Sequence, residues 1–187
     1  MQNFLKIASG LNVLPLQLAL IRQPHLFGQH KERAEQYASP HGEMSDIWVR
    51  YNDIANLSDL ATFNNEHDSV WYPAYHALPE LRPIIFSLMS MVEGERLGGV
   101  LITKIPPGGK IAPHVDRGWH AEYYDKYYIP IQNDEGAIFG FEDGVIAPDL
   151  GDVYWFYNGN SHWVENNSAR DRIALIVCIR SHTFKGA

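Results

Sequence analysis

A chain of 187 residues with 45% hydrophobic and 12% aromatic content carries enough apolar side chain for one sizeable core, so a single domain over 1–187 is expected. Its formal net charge of −7, with acids spread along the chain, leaves no extended basic surface and argues against bulk nucleic-acid or anionic-membrane binding. Cys178 is the only cysteine, which argues against a disulfide framework or thiolate metal site and fits a reducing cytoplasm.

Residues 1–45 read as helical and irregular. Leu11, Val13, Leu14, Leu16, Leu18, Leu20 and Ile21 form an apolar run interrupted by Pro15, Gln17 and Arg22. The run is too short to span a bilayer and no small-residue cleavage site follows it, so it reads as an amphipathic helix packed on the domain. Lys31–Tyr37 reads as a polar helical turn that Ser39-Pro40-His41-Gly42 ends. Ile47–Tyr51 reads as a short strand. Pro79 opens a second helix in which Leu81, Ile84, Ile85, Leu88 and Met91 recur at three-and-four spacing and supply an apolar stripe.

Beyond Glu95 the pattern changes to short β-rich runs separated by turn residues, at about 97–105, 110–115, 126–132, 136–142, 144–147, 152–157, 161–166 and 172–180. Asp143-Gly144 fits a two-residue hairpin and Pro106-Pro107-Gly108-Gly109 a tight reversal. The expected fold is mainly β, a jelly roll over 97–180 whose one sheet is covered by helices from a helical and irregular part, 1–95. Trp155 and Trp163 read as sheet-core or pocket-wall aromatics.

The chemistry lies in this β-rich half. In an extended strand, side chains two apart share a face, so His114 and Asp116 can reach one metal while Val115 turns into the opposite layer. With His162, two imidazoles and one carboxylate occupy one face of an octahedron and leave the other positions open, the arrangement used by non-haem Fe(II) oxygenases. Each residue alone has a plainer reading. A His-x-Asp pair is more often a surface salt bridge or turn feature, His162 could be a strand-end histidine bonded to a carbonyl, and Arg172 a sheet-edge charge paired with Asp171. Their joint occurrence in this order disfavours those readings. The remaining histidines, His25, His30, His41, His67, His76 and His182, carry no ligand spacing and read as ordinary residues.

The order Ile105–Asp116, Lys126–Ile131, Gly151–Phe156, His162–Asn166 and Asp171–Leu175, with a looser likeness around Ser45–Arg50, resembles the aspartyl/asparaginyl β-hydroxylase family, whose fold is the double-stranded β-helix or jelly roll. The resemblance implies Fe(II) held by His114, Asp116 and His162, with 2-oxoglutarate as co-substrate and O2 as oxidant. It implies that Arg172 clamps the far carboxylate of 2-oxoglutarate, which a planar guanidinium can do bidentately. Two positions depart from the family pattern: Tyr128 stands where many members carry histidine beside that carboxylate, and Lys126 where they carry arginine. A phenol can still donate one hydrogen bond there. Arg50, Arg117, Trp48 and His120 are the candidates for substrate contact.

The expected activity is hydroxylation of an amino-acid side chain, free or in a peptide or protein. The competing readings are a cupin-type metal enzyme that does not use 2-oxoglutarate and a non-catalytic jelly-roll binding module. A carboxylate clamp at Arg172 separates the first from the second, and bound metal separates both from the third.

Overall fold

A computed structural model describes residues 2–35 and 39–181. The strands are β1 (Phe4–Ala8), β2 (Ser45–Tyr51), β3 (Val70–Trp71), β4 (Arg96–Ile105), β5 (Lys110–His114), β6 (Asp125–Gln132), β7 (Ala137–Phe141), β8 (Gly144–Ile146), β9 (Val153–Phe156), β10 (His162–Asn166) and β11 (Arg172–Arg180). They form a seven-stranded sheet, β1-β9-β6-β11-β4-β2-β3, and a four-stranded sheet, β5-β10-β7-β8, with every pairing antiparallel. This is the jelly roll that the run spacing predicts.

Period-two alternation explains why the large sheet is buried on both sides. On β11, Leu175, Val177 and Ile179 belong to one core and Ala174 to the other; on β6, Tyr127, Ile129 and Ile131 oppose Tyr128 in the same way. The outer core is completed by α1 (Leu14–Arg22), which buries Leu16, Ala19 and Leu20, and by α5 (Leu81–Met91), which buries Leu81, Ile84, Ile85 and Leu88. Each such side chain contributes about 1.5–3 kcal/mol when fully buried, so the helices are held chiefly by this face. The inner core, between the sheets, is aromatic: Tyr128, Phe139, Phe141, Tyr154 and Phe156 with Ile105, Ile111 and Val164. No helix of the described residues is long and apolar enough to cross a membrane.

The eight expected runs correspond to β4 through β11. The N-terminal part differs from expectation because it is not only helical and irregular: β1 pairs with β9, and β2 and β3 extend the large sheet beyond β4. The polar turn is the short α2 (Glu32–Glu35), and residues 36 and 37 of that expected segment, like His182, lie outside the described residues. Helix α5 starts at Leu81, two residues after Pro79. Short helices α3 (Leu60–Asn64), α4 (Ala74–Ala77) and α6 (Trp119–Tyr123) fill connections that carry no long periodic pattern. The β7–β8 connection is Glu142-Asp143, with Gly144 already paired to Phe141. At the β4–β5 turn Gly109 N–H donates to Pro106 O at 2.9 Å, and Gly108 takes φ +74°, which an L side chain would strain.

Candidate active site

The histidines meet because β5 and β10 are neighbours. His114 and His162 are Cα partners across the pair, and the register slips between His162 and Val164, a bulge that frees the strand ends to aim their side chains. Their ring centroids lie 4.4 Å apart. Asp116 arrives differently from the expected strand alternation. Strand β5 ends at His114, so Val115 is 38% exposed rather than turned into the opposite layer. The Asp116 N–H instead donates to Asn158 O at 3.1 Å, which bends the chain back over the histidines. One Asp116 oxygen lies 3.7 Å from His114 Nε2 and the other 3.6 Å from His162 Nε2, and one ligand atom from each residue falls within 4.8 Å of the others.

Electrostatics put these groups in the forms a metal needs. His114 Nδ1 lies 2.8 Å from Ala112 O and His162 Nδ1 2.9 Å from Asn160 O. A carbonyl can only accept, so each Nδ1 carries the proton and each Nε2 presents a lone pair. Burial lowers both imidazole pKa values, that of His162 to about 4, and keeps the rings neutral at pH 7. Burial opposes ionisation of Asp116, but the Lys126 ammonium in contact with it, reinforced by the histidines, holds its carboxyl well below the usual range. Two neutral imidazoles held by carbonyls and one ionised carboxylate fit a divalent first-row metal such as Fe(II).

The cluster opens into a cavity of about 690 Å³. Arg172, on β11, lines it and is only 3% exposed. Its Nη2 donates to the Tyr128 hydroxyl at 2.9 Å, and its Nε is buried with no acceptor among the described residues. Asp171 does not neutralise it, because that carboxylate pairs with Lys104 at 3.8 Å. Burial, opposed by Arg172, raises the Tyr128 pKa, so the phenol keeps its proton while accepting from Arg172. A buried cation with a neutral donor beside it is matched by a carboxylate entering the cavity.

Of the residues expected to contact substrate, Arg117 and His120 line the cavity, and the Gly99 N–H donates to His120 Nε2 at 3.2 Å. Arg50 and Trp48 do not line it. Arg50 lies 5.0 Å over the Trp71 ring with Nε donating to Leu97 O, and Trp48 is 1% exposed and stacked on His30. Trp155 and Trp163 are likewise outside the lining. Sequence reasoning missed His41 and Arg33, which do line the cavity, and did not place the buried Cys178 thiol there. Only the Ser39–Gly42 break flagged this region, and nothing in its spacing points to β5.

The family model for aspartyl/asparaginyl β-hydroxylase matches residues 17–181. No curated protein matches. Among solved structures, a 2OG-Fe(II) oxygenase family oxidoreductase from Burkholderia pseudomallei aligns with TM-score 0.55 and 14% identity over 75% of this chain and 69% of its own. A prolyl hydroxylase from Trichoplax adhaerens, solved with a peptide fragment of the hypoxia inducible factor oxygen degradation domain, gives 0.57 and 12% over 96% and 84%. The viral collagen prolyl hydroxylase from Paramecium Bursaria Chlorella virus-1, solved with 2OG, gives 0.52 and 13% over 96% of both chains. At these identities the structural likeness establishes the fold.

Proposed function

The chain belongs to the aspartyl/asparaginyl β-hydroxylase family of Fe(II)- and 2-oxoglutarate-dependent oxygenases, and from that premise we propose that it hydroxylates an amino-acid side chain, free or within a peptide, at the His114-Asp116-His162 cluster. When bound, iron and 2-oxoglutarate supply the oxidising power, the co-substrate leaving as succinate and carbon dioxide while oxygen enters a C–H bond. The protein's part is to bind and orient. His114 and His162 present Nε2 because Ala112 O and Asn160 O hold the opposite nitrogens, and Asp116 supplies the anionic ligand. Arg172 and the Tyr128 hydroxyl receive the far carboxylate of the co-substrate, fixing its direction. The inner-core side chains Ile111, Phe139, Phe156 and Val164 line the same cavity and keep bulk water from its closed end.

Arg172 carries this reading. A guanidinium buried to 97% and unpaired by any carboxylate of the described residues costs free energy that Tyr128 offsets in part and an anionic ligand would offset further. A peptide substrate has a precedent on this fold in the Trichoplax adhaerens prolyl hydroxylase.

The test is anaerobic titration of iron-loaded protein with 2-oxoglutarate, following the visible charge-transfer band that chelation creates. A saturable band that disappears in Arg172→Ala supports the hydroxylase, and succinate release then screens amino acids and peptides. Bound iron with no band favours a metal enzyme that does not use 2-oxoglutarate. Absence of bound iron refutes the ligand set.

A further inference from the structure

Residues 28–35 and 39–44 are anchored on both sheets, the first stretch on the large sheet and the second on the small one. On the large-sheet side, Gly28 N–H donates to Asp46 O at 2.9 Å, and Arg33 Nη1 donates to Asp46 Oδ2 at 2.5 Å. Asp46 is 3% exposed and also accepts from Thr103 Oγ1 at 3.0 Å, so a buried carboxylate on β2 fixes the segment to the frame. On the small-sheet side, Ala112 N–H donates to Pro40 O at 3.1 Å and Lys110 N–H to a Glu43 carboxylate oxygen at 2.9 Å. These bonds cover the free edge of β5, the outermost strand of its sheet and the one that carries His114. Within the segment, Ser39 Oγ donates to Arg33 O at 2.5 Å and accepts from His41 N–H at 3.1 Å.

The residue so delivered is His41. Its ring meets His114 edge-on, with centroids 4.8 Å apart and planes at 81°, and His162 lies on His114 at 4.4 Å. His114 therefore contacts two imidazoles. The hydrogen bond from its Nδ1 to Ala112 O sets which nitrogen carries the proton, but a ring held by one bond can still swing about it. Contact with two further rings restricts that freedom. Arg33 Nη2 lies 3.5 Å from His41 Nε2 and holds the second ring in turn.

We propose that His41 is a positioning residue for the metal centre, a ring delivered by the Arg33–Asp46 anchor that fixes the His114 imidazole in its ligating orientation. The proposal rests on the reading of His114, Asp116 and His162 as the iron ligands. It assigns His41 no bond to the metal: the group acts through the contact of its ring with His114.

The test is the Fe(II) affinity of the full chain, measured anaerobically by competition with a chromogenic chelator, without 2-oxoglutarate or substrate. Iron binding by the wild type that is lost in His162→Ala establishes the ligand set. His41→Ala is then expected to weaken Fe(II) about ten-fold, the size of effect seen when a ligand's supporting partner is removed. His41→Phe, which keeps a flat ring against His114, is expected to return the affinity to within about two-fold of wild type, since the aromatic contact persists. A generic packing role would instead move the melting temperature of the metal-free variants in step with affinity. Should His41→Ala fail to fold, His41→Gln replaces it: weak binding by Gln beside near-native binding by Phe supports the proposal. Equal Fe(II) affinity in wild type and His41→Ala overturns it and leaves the ligand set standing, as does a His41→Phe variant as weak as Ala. No Fe(II) binding by the wild type overturns both.

Discussion

Arg172→Met separates co-substrate binding from folding, because the structure predicts opposite signs for the two. In the absence of 2-oxoglutarate the guanidinium is a buried cation whose described partner is a neutral phenol. Replacing a buried charge by an apolar side chain of similar volume commonly stabilises by about 1–4 kcal/mol. Loss of the hydrogen bond to Tyr128 offsets about 1.5 kcal/mol of that, leaving roughly 1 kcal/mol in favour of the variant. For a chain of this length that corresponds to a melting temperature about 2–4 °C higher. With 2-oxoglutarate at about one hundred times its dissociation constant, the iron-loaded wild type should gain about 2.7 kcal/mol, and the variant nothing. The order of stabilities therefore inverts on adding the co-substrate. Thermal unfolding followed by circular dichroism under anaerobic conditions, with and without 2-oxoglutarate, reads both effects. A variant less stable than wild type without the co-substrate would show that Arg172 is a structural cation, and a retained 2-oxoglutarate shift would show that another residue holds the carboxylate.

Tyr128→Phe removes one donor to that carboxylate and the acceptor for Arg172 Nη2, so the 2-oxoglutarate dissociation constant should rise about ten-fold with turnover at saturation little changed; an unaltered constant refutes the phenol's role. Cys178 faces the cavity, and burial pushes its thiol up to about 11 from an ordinary value near 9. Because raising an acid's pKa keeps it protonated to higher pH, alkylation by iodoacetamide at pH 8 should run about 100-fold slower than for a free cysteine and speed up toward pH 11. Reaction at the free-thiol rate in the folded protein would contradict the burial.

The legible and illegible parts of this chain divide along physical lines. Strands β4 to β11 were readable because each is buried on one or two faces and so keeps a period of two, with turn residues between them. The β1 strand was not: its burial pattern hardly alternates, and it is stabilised by β9, far away in sequence. His114, His162 and Arg172 were readable because strand register fixes them. Asp116 was found for an incomplete reason, since a loop hydrogen bond to Asn158, and not strand alternation, brings it to the histidines. Trp48 and Arg50, read from the sequence as candidates for a substrate carboxylate or backbone, lie outside the cavity lining because they pack on His30 and Trp71, which no spacing in the chain announces. His41 had no signal because what links it to His114 is two anchors on different sheets.

The same division explains why the reaction can be read further than the substrate. The two histidines lie on adjacent strands of the small sheet and Arg172 on the opposed large sheet, so the end of the cavity proposed to hold the co-substrate is defined by the pleats themselves. Moving any of these residues by one position would turn it to the other face, which ties the chemistry to a spacing visible in the chain. The cavity is also lined by Glu32, Asn64 and His67, carried on α2, at the end of α3 and on the loop before β3. Loops obey no such period, so side chains there can change without disturbing the sheets, and substrate preference is free to vary on a constant oxidising centre. Substitutions at Glu32, Asn64 and His67 should therefore alter which amino acid or peptide is hydroxylated before they alter co-substrate binding.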